Sequence, residues 1–163
     1  MILHYADKEL QKIITYKQGR QDKPQGIWFS PREEDGKTAW QEWCQDERWV
    51  PNQYTHLYEL KNLETCSLSE LGSQSRDKCL ELSSVKEVRE FSRLFKYSDY
   101  NYIIDWLKLS ESCSGISIVP YQWELRRSLS WYYTWDVASG CLWRHPANMQ
   151  LINHPLDWDG RIR

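Results

Sequence analysis

The chain has 163 residues, enough for one domain that buries a real hydrophobic core. Its 21 Lys and Arg against 23 Asp and Glu give a net charge of -2, which excludes a global field attracting nucleic acid or anionic membrane and leaves any such contact to a local patch. No apolar run approaches the roughly 18 residues of a spanning helix, and no basic segment followed by an apolar core opens the chain, so a cytoplasmic single domain over residues 1–163, without membrane contact, is expected.

Residues 1–5 read as a short strand, and Asp7 then offers an N-cap to a helix with the apolar face Leu10, Ile13 and Ile14, ending at Gly19. Lys23-Pro24-Gln25-Gly26 is a turn into the apolar run 27–29, which is too short for a helix before Pro31 and reads as a buried strand. A charged loop over 32–37 leads to Ala39, Trp40, Trp43 and Cys44, whose spacing predicts an amphipathic helix over about 37–46. Residues 55–60 read as a strand. The segment 66–84 is rich in Ser and charge, has no strong period, and reads as an irregular, flexible insertion with a marginal turn of helix. Ser84 with Glu87 makes a capping box before the helical face Val85, Val88, Phe91 and Leu94, and a second helical pattern covers 97–109. Strands are expected at 115–119, before Pro120, and at 138–143. Short strands with separated helices imply an α+β fold rather than a regular parallel wind.

Five cysteines, Cys44, Cys66, Cys79, Cys113 and Cys141, are odd in number and widely spaced, which fits reduced core residues better than a disulfide framework or a CxxC knuckle. Ten Trp and ten Tyr stand against three Phe, so the chain favours rings with a polar handle, suited to half-wet surfaces as well as to core.

His4-Tyr5 on the opening strand, then Gly26-Ile27-Trp28-Phe29-Ser30, then Ala39-Trp40-Gln41-Glu42-Trp43 together resemble the ADP-ribosyltransferase superfamily. The likeness is to the branch whose first motif is a strand histidine, which includes bacterial and phage ADP-ribosylating toxins, poly-ADP-ribose polymerases and tRNA 2′-phosphotransferases. The resemblance runs from residue 1 to about residue 45. It implies a split mixed sheet of short strands with flanking helices, and NAD as substrate. By the same resemblance His4 bonds the nicotinamide ribose, Trp28 takes the place of the ring that stacks on nicotinamide, and Ser30 ends the strand beside it. Tyr5, Gly26 and Trp40 complete the implied NAD-binding set.

In that family an acidic residue near the start of a late strand fixes the ribose 2′-hydroxyl and stabilises the oxocarbenium-like centre as nicotinamide leaves. The segment Trp135-Asp136-Val137-Ala138-Ser139 resembles a Trp-Asp-x-Glu-Ser pattern of related proteins, with Ala138 where the Glu would stand. Asp136 is therefore the leading catalytic carboxylate, alongside His4, and Glu124 is the second candidate.

Neither a GxGxxG turn nor a GxxxxGK[ST] loop is present, so the pyrophosphate is assigned to Arg126, with Arg127, through bidentate charge-assisted bonds. A solvated face for both arginines is the alternative. Arg126, Arg127 and Arg144 interleave with Trp131, Tyr132, Tyr133, Trp135 and Trp143, which fits a Trp-rich core with surface arginines or, as the functional alternative, a surface for single-stranded nucleic acid. His145-Pro146, His154-Pro155 and Asp157-Trp158-Asp159-Gly160 lack the remaining ligands of zinc or calcium sites, so no metal is expected. No Gly-x-Ser-x-Gly elbow is present.

The leading expectation is an NAD-dependent ADP-ribosyltransferase, a glycosyltransferase that moves ADP-ribose to a protein or nucleic acid. A bacterial or phage toxin, or an antiphage defence effector, would fit, with an antitoxin or regulator as a further partner. The alternatives are a non-catalytic nucleotide- or nucleic-acid-binding module on the same fold, which Ala138 favours, and a protein-interaction inhibitor with an aromatic hot-spot patch.

Overall fold

The computed structural model describes residues 1–33, 36–48, 54–97 and 102–156. Its elements in chain order are β1 (Ile2–Ala6), β2 (Arg20–Gln21), β3 (Ile27–Pro31), α1 (Ala39–Asp46), β4 (His56–Lys61), β5 (Thr65–Cys66), β6 (Cys79–Leu82), α2 (Val85–Phe95), β7 (Ile104–Asp105), α3 (Trp106–Ser110), β8 (Gly115–Ile118), β9 (Ser139–Leu142) and β10 (Gln150–Pro155). Eight of the strands form one sheet in the order β10-β4-β1-β3-β9-β8-β6-β5, while β2 and β7 make a separate ribbon. The sheet is antiparallel from β10 to β8 and parallel from β8 through β6 to β5. The architecture is α+β, with a curled mixed sheet and few helices.

Local chemistry explains both longer helices. Thr38 caps α1 by accepting from the Gln41 amide, and the Gln41 side chain accepts from the Thr38 amide in return, closing a capping box. Ser84 Oγ accepts from the Glu87 amide at 3.3 Å, and the Glu87 carboxylate reaches back one residue further, to the Ser83 amide at 2.9 Å. The apolar face of α2 then buries Val88, Phe91 and Phe95 against a core that includes Leu80, Leu82, Trp106, Ile116 and Trp131. A second core lies under β1, β3 and β4, with Ile13, Phe29, Tyr58 and Leu60.

Three sequence expectations need correction. Residues 7–19 form no helix, because long-range partners take their amides. Leu10 donates to the Tyr58 hydroxyl at 2.6 Å, and Tyr16 donates to the Trp143 carbonyl at 2.8 Å. The segment 66–84 is no irregular insertion, since it carries β6, whose Cys79, Leu80 and Leu82 are all fully buried. Of the helical pattern over 97–109 only Trp106–Ser110 is helical, preceded by the strand Ile104–Asp105, and residues 98–101 lie outside the described residues. The edge strand β10 was not anticipated, and the 157–160 turn lies outside the described residues. All five cysteines are buried and unpaired. Among the described residues, no helix is long and apolar enough to cross a membrane.

Candidate functional site

The strand β3 uses opposite ends for its two neighbours. It pairs with β1 through Ile2↔Pro31 and Leu3↔Ser30, but with β9 through Ile27↔Leu142, Trp28↔Cys141 and Phe29↔Gly140. Past Leu3, β1 keeps its pairing with β4 as far as Ala6↔His56, so the sheet opens between β1 and β3 beside Trp28. One side chain bridges the opening and another ties β3 to the chain entering β9. His4 Nδ1 lies 2.6 Å from the Trp28 carbonyl, and Ser30 Oγ donates to the Ala138 carbonyl at 2.8 Å, just beyond the last β3–β9 pair.

A cavity of about 420 Å³ occupies the split, within the usual range for small-molecule sites. His4, Tyr5, Gly26, Trp28, Ser30, Trp40 and Asp136 all line it. The structure therefore brings these seven together, while Arg126, Arg127 and Glu124 do not line the cavity. Sequence reasoning passed over Lys23 and Tyr54, which also line the cavity. The signal for Lys23 was its place in the turn immediately before the Gly26–Ser30 motif, whereas Tyr54 carried none.

A carbonyl only accepts, so the contact to Trp28 requires the proton on His4 Nδ1 and leaves Nε2 as an acceptor. Burial pushes the His4 pKa below its usual value, only partly opposed by the Trp28 bond, and the ring is neutral at neutral pH. Burial likewise raises the Tyr5 phenol to about 12, against the opposing effects of a hydrogen bond with Thr38 and the nearby Arg32 charge. The Trp28 ring meets Trp135 edge-on at 4.8 Å, and the Lys23 ammonium sits 5.3 Å from a Trp28 ring centroid. Among the described residues, buried Trp135 Nε1 has no hydrogen-bond partner.

Gly26 has a backbone reason for its identity. At φ +153° its Cβ position would lie 2.2 Å from the Leu142 carbonyl oxygen, so any side chain would push β3 off β9.

Asp136 reaches the cavity from the chain entering β9, and its carboxylate lies 3.2 Å from Arg126 Nη2, with both side chains about one-third exposed. Arg126 itself does not line the cavity. Its guanidinium lies instead beside the rings of Trp123 and Tyr133, at 5.9 and 5.5 Å. Glu124, the second carboxylate candidate, is exposed, pairs with Arg89 at 3.6 Å, and does not line the cavity. Ala138 is buried and also absent from the lining, while Asp136, Val137 and Ser139 contribute to it.

Of the two readings of the aromatic block, core holds for most of its rings. Trp131, Tyr132, Trp135 and Trp143 are buried, and the guanidinium of Arg144 is bound to the backbone carbonyls of Ser110, Cys113 and Arg76. What remains exposed is Trp123 at 70 % and Tyr133 at 58 %, beside Arg126 and the exposed Arg127.

The site thus combines a neutral imidazole acceptor, an indole wall, one carboxylate and one lysine in an apolar cleft, a set suited to orienting a small ligand that carries both ring and charge. The chain matches no family model, no curated protein and no solved structure.

Proposed function

We propose that the cleft binds NAD as substrate and that the protein is an NAD-dependent ADP-ribosyltransferase, on an ADP-ribosyltransferase-like split sheet, acting on a macromolecular acceptor as a bacterial or phage toxin or defence effector. The supporting observation is convergence. His4, Trp28 and Ser30 come from the opening segment and Asp136 comes from far along the chain, yet all four line one split in the sheet.

In this reading the nicotinamide riboside end of NAD enters the cleft. His4 Nε2 accepts from a ribose hydroxyl, the Trp28 ring walls the nicotinamide, and the Asp136 carboxylate faces the sugar carbon. Nicotinamide is already a cationic leaving group, so positioning and charge are the protein's main contributions. When the glycosidic C1′–N bond breaks, its electron pair leaves with nicotinamide, which becomes neutral. The acceptor's nucleophilic atom supplies the pair for the new bond to C1′ and releases its proton to water. Asp136 stabilises the positive charge that develops on the sugar between these events.

One observation favours the non-catalytic nucleotide-binding alternative. Asp136 is already engaged by Arg126, and Ala138 offers no second carboxylate.

Nicotinamide release from NAD separates the two, measured with and without single-stranded DNA, RNA and cell lysate. Transferase action requires release by the wild-type chain, abolished in His4→Ala and lowered at least about a hundredfold in Asp136→Asn, and the additive that accelerates it identifies the acceptor class. NAD binding without release under any of these conditions establishes the binding module instead. Unchanged release by Asp136→Asn removes that residue from the mechanism.

A further inference from the structure

The pyrophosphate, assigned from sequence to Arg126, has a better partner inside the cleft. Arg126 is spent on Asp136 and lies outside the lining. Among the described residues that line the cavity, Lys23 is the one lysine or arginine and Asp136 the one carboxylate.

The backbone of Lys23 is pinned. Its carbonyl accepts from the Gln21 side chain at 2.6 Å and its amide donates to Asp22 at 2.9 Å. The adjoining Gln25 is clamped by Gln18 through both its amide and its carbonyl. Among the described residues the Lys23 ammonium makes no ion pair, and its contact is the Trp28 ring, at 5.3 Å. A fixed turn therefore presents an ammonium with no ion-pair partner over the aromatic wall of the cleft.

That placement conflicts with a cationic ring on Trp28. A pyridinium seeking the Trp28 face meets a like charge already there, and both compete for the same π-system. The conflict is resolved when the ammonium swings on its four-carbon stem to a phosphate of the same ligand, exchanging a modest cation–π contact for a charge-assisted bond.

We infer that Lys23 is the diphosphate-binding residue of the cleft and a placeholder on Trp28, leaving the ring when a ligand carrying both a cationic base and a diphosphate enters. This deepens the NAD reading and rests on it for the role of Trp28. It makes the cleft selective, because nicotinamide riboside displaces the lysine without offering it a phosphate.

The test is calorimetric titration of the full chain with ADP-ribose, NAD and nicotinamide riboside, for wild type, Lys23→Arg, Lys23→Ala and Lys23→Met, the last keeping the apolar stem over Trp28. In Lys23→Ala and Lys23→Met, ADP-ribose binding should weaken at least tenfold, while nicotinamide riboside binding stays unchanged or tightens. Lys23→Arg should retain most of the ADP-ribose affinity. A uniform loss for all three ligands, or ADP-ribose affinity indifferent to the charge at position 23, overturns the inference, as does a wild-type chain that binds none of them. Lys23-dependent ADP-ribose binding in a protein that releases no nicotinamide sustains the inference and removes NAD cleavage. NAD cleavage with ADP-ribose affinity indifferent to that charge does the reverse.

Discussion

The two wings of the sheet use tryptophan in opposite ways. On the wing of β8 and β6, backed by α2 and α3, Trp106, Trp131 and Trp143 are at most 1 % exposed, and each indole N–H has a partner. Trp106 donates to the Gln21 carbonyl at 3.0 Å, Trp131 to Ser92 Oγ at 3.0 Å and Trp143 to the Cys113 carbonyl at 2.8 Å. At the split, on the margin of that same core, Trp28 is half-buried and faces a cavity, and among the described residues the buried N–H of its neighbour Trp135 has no partner. Buried polar groups are satisfied as a rule, so the contrast divides the molecule. One wing has optimised packing, and the other leaves space, polar groups and an interrupted ladder for a ligand.

The sharpest way to break that division is to truncate one tryptophan from each side. Trp131→Ala should cost about 3 to 5 kcal/mol in denaturant unfolding, the range for a large aromatic removed from a packed core. Trp28→Ala should cost clearly less, since its ring already faces space, yet should abolish nicotinamide release. Equal stability losses would mean that the split is core like the rest. Next in size, Asp136→Asn should lower nicotinamide release by about 10² to 10³-fold, the usual loss for a preorganised electrostatic partner. Its stability should stay within about 1 kcal/mol of wild type, because a partly exposed ion pair contributes little. Glu124→Gln, on the exposed pair with Arg89, should leave release unchanged.

What was legible in the sequence follows the same line. The strand at Ile27–Pro31 and the helices after Thr38 and Ser84 announced themselves through local chemistry: a proline stop, a helical period and, for the second helix, the Ser84 cap. The lining residues His4, Trp28, Ser30 and Asp136 were nominated together from their motifs. The helix expected over 7–19 failed because its pattern is real but its amides have better partners elsewhere, in Tyr58 and Trp143. A marginal isolated helix gives way to such tertiary bonds. The strand β6 went unseen because four residues carry too little period, and what makes it a strand is parallel pairing with β8, from Cys79↔Gly115 to Leu82↔Ile118. Arg126 was not placed from sequence relative to the cavity, because proximity to aromatics says nothing of which side of Asp136 the guanidinium approaches. The aromatic block 121–143 was ambiguous for a related reason: spacing shows that rings cluster, but only the fold decides that Trp131 faces α2 while Trp123 faces water.

The unpartnered N–H of Trp135 permits a finer comparison. Trp131→Phe and Trp135→Phe delete similar volumes from positions that are both nearly fully buried, but only the first deletes a hydrogen bond, to Ser92. Trp131→Phe should therefore be the more destabilising by about 0.5 to 1.5 kcal/mol. Equal values would show that Trp135 Nε1 is satisfied in solution.

The smallest effect, and the one most specific to the split, is a pH dependence. Burial lowers the His4 pKa in the folded protein, whereas the unfolded chain titrates near pH 6.5. Below that value the unfolded state binds the proton more readily, so the contribution of neutral His4 is complete above about pH 6.5 and declines as pH falls toward the lowered folded value. Glu87 behaves differently: hydrogen bonding led by the Ser83 amide lowers its pKa from 4.5, so its contribution is complete above that value and is lost only as pH falls below it. The two windows do not overlap at their upper edges, which lets denaturation midpoints read them separately. Between about pH 7.5 and about pH 5.5 the wild-type midpoint should fall slightly more than that of His4→Gln, which has no titrating ring at the split. Parallel curves for the two proteins over that interval would mean that His4 is solvated, and that its bond to the Trp28 carbonyl does not hold β1 and β3 together at the opening.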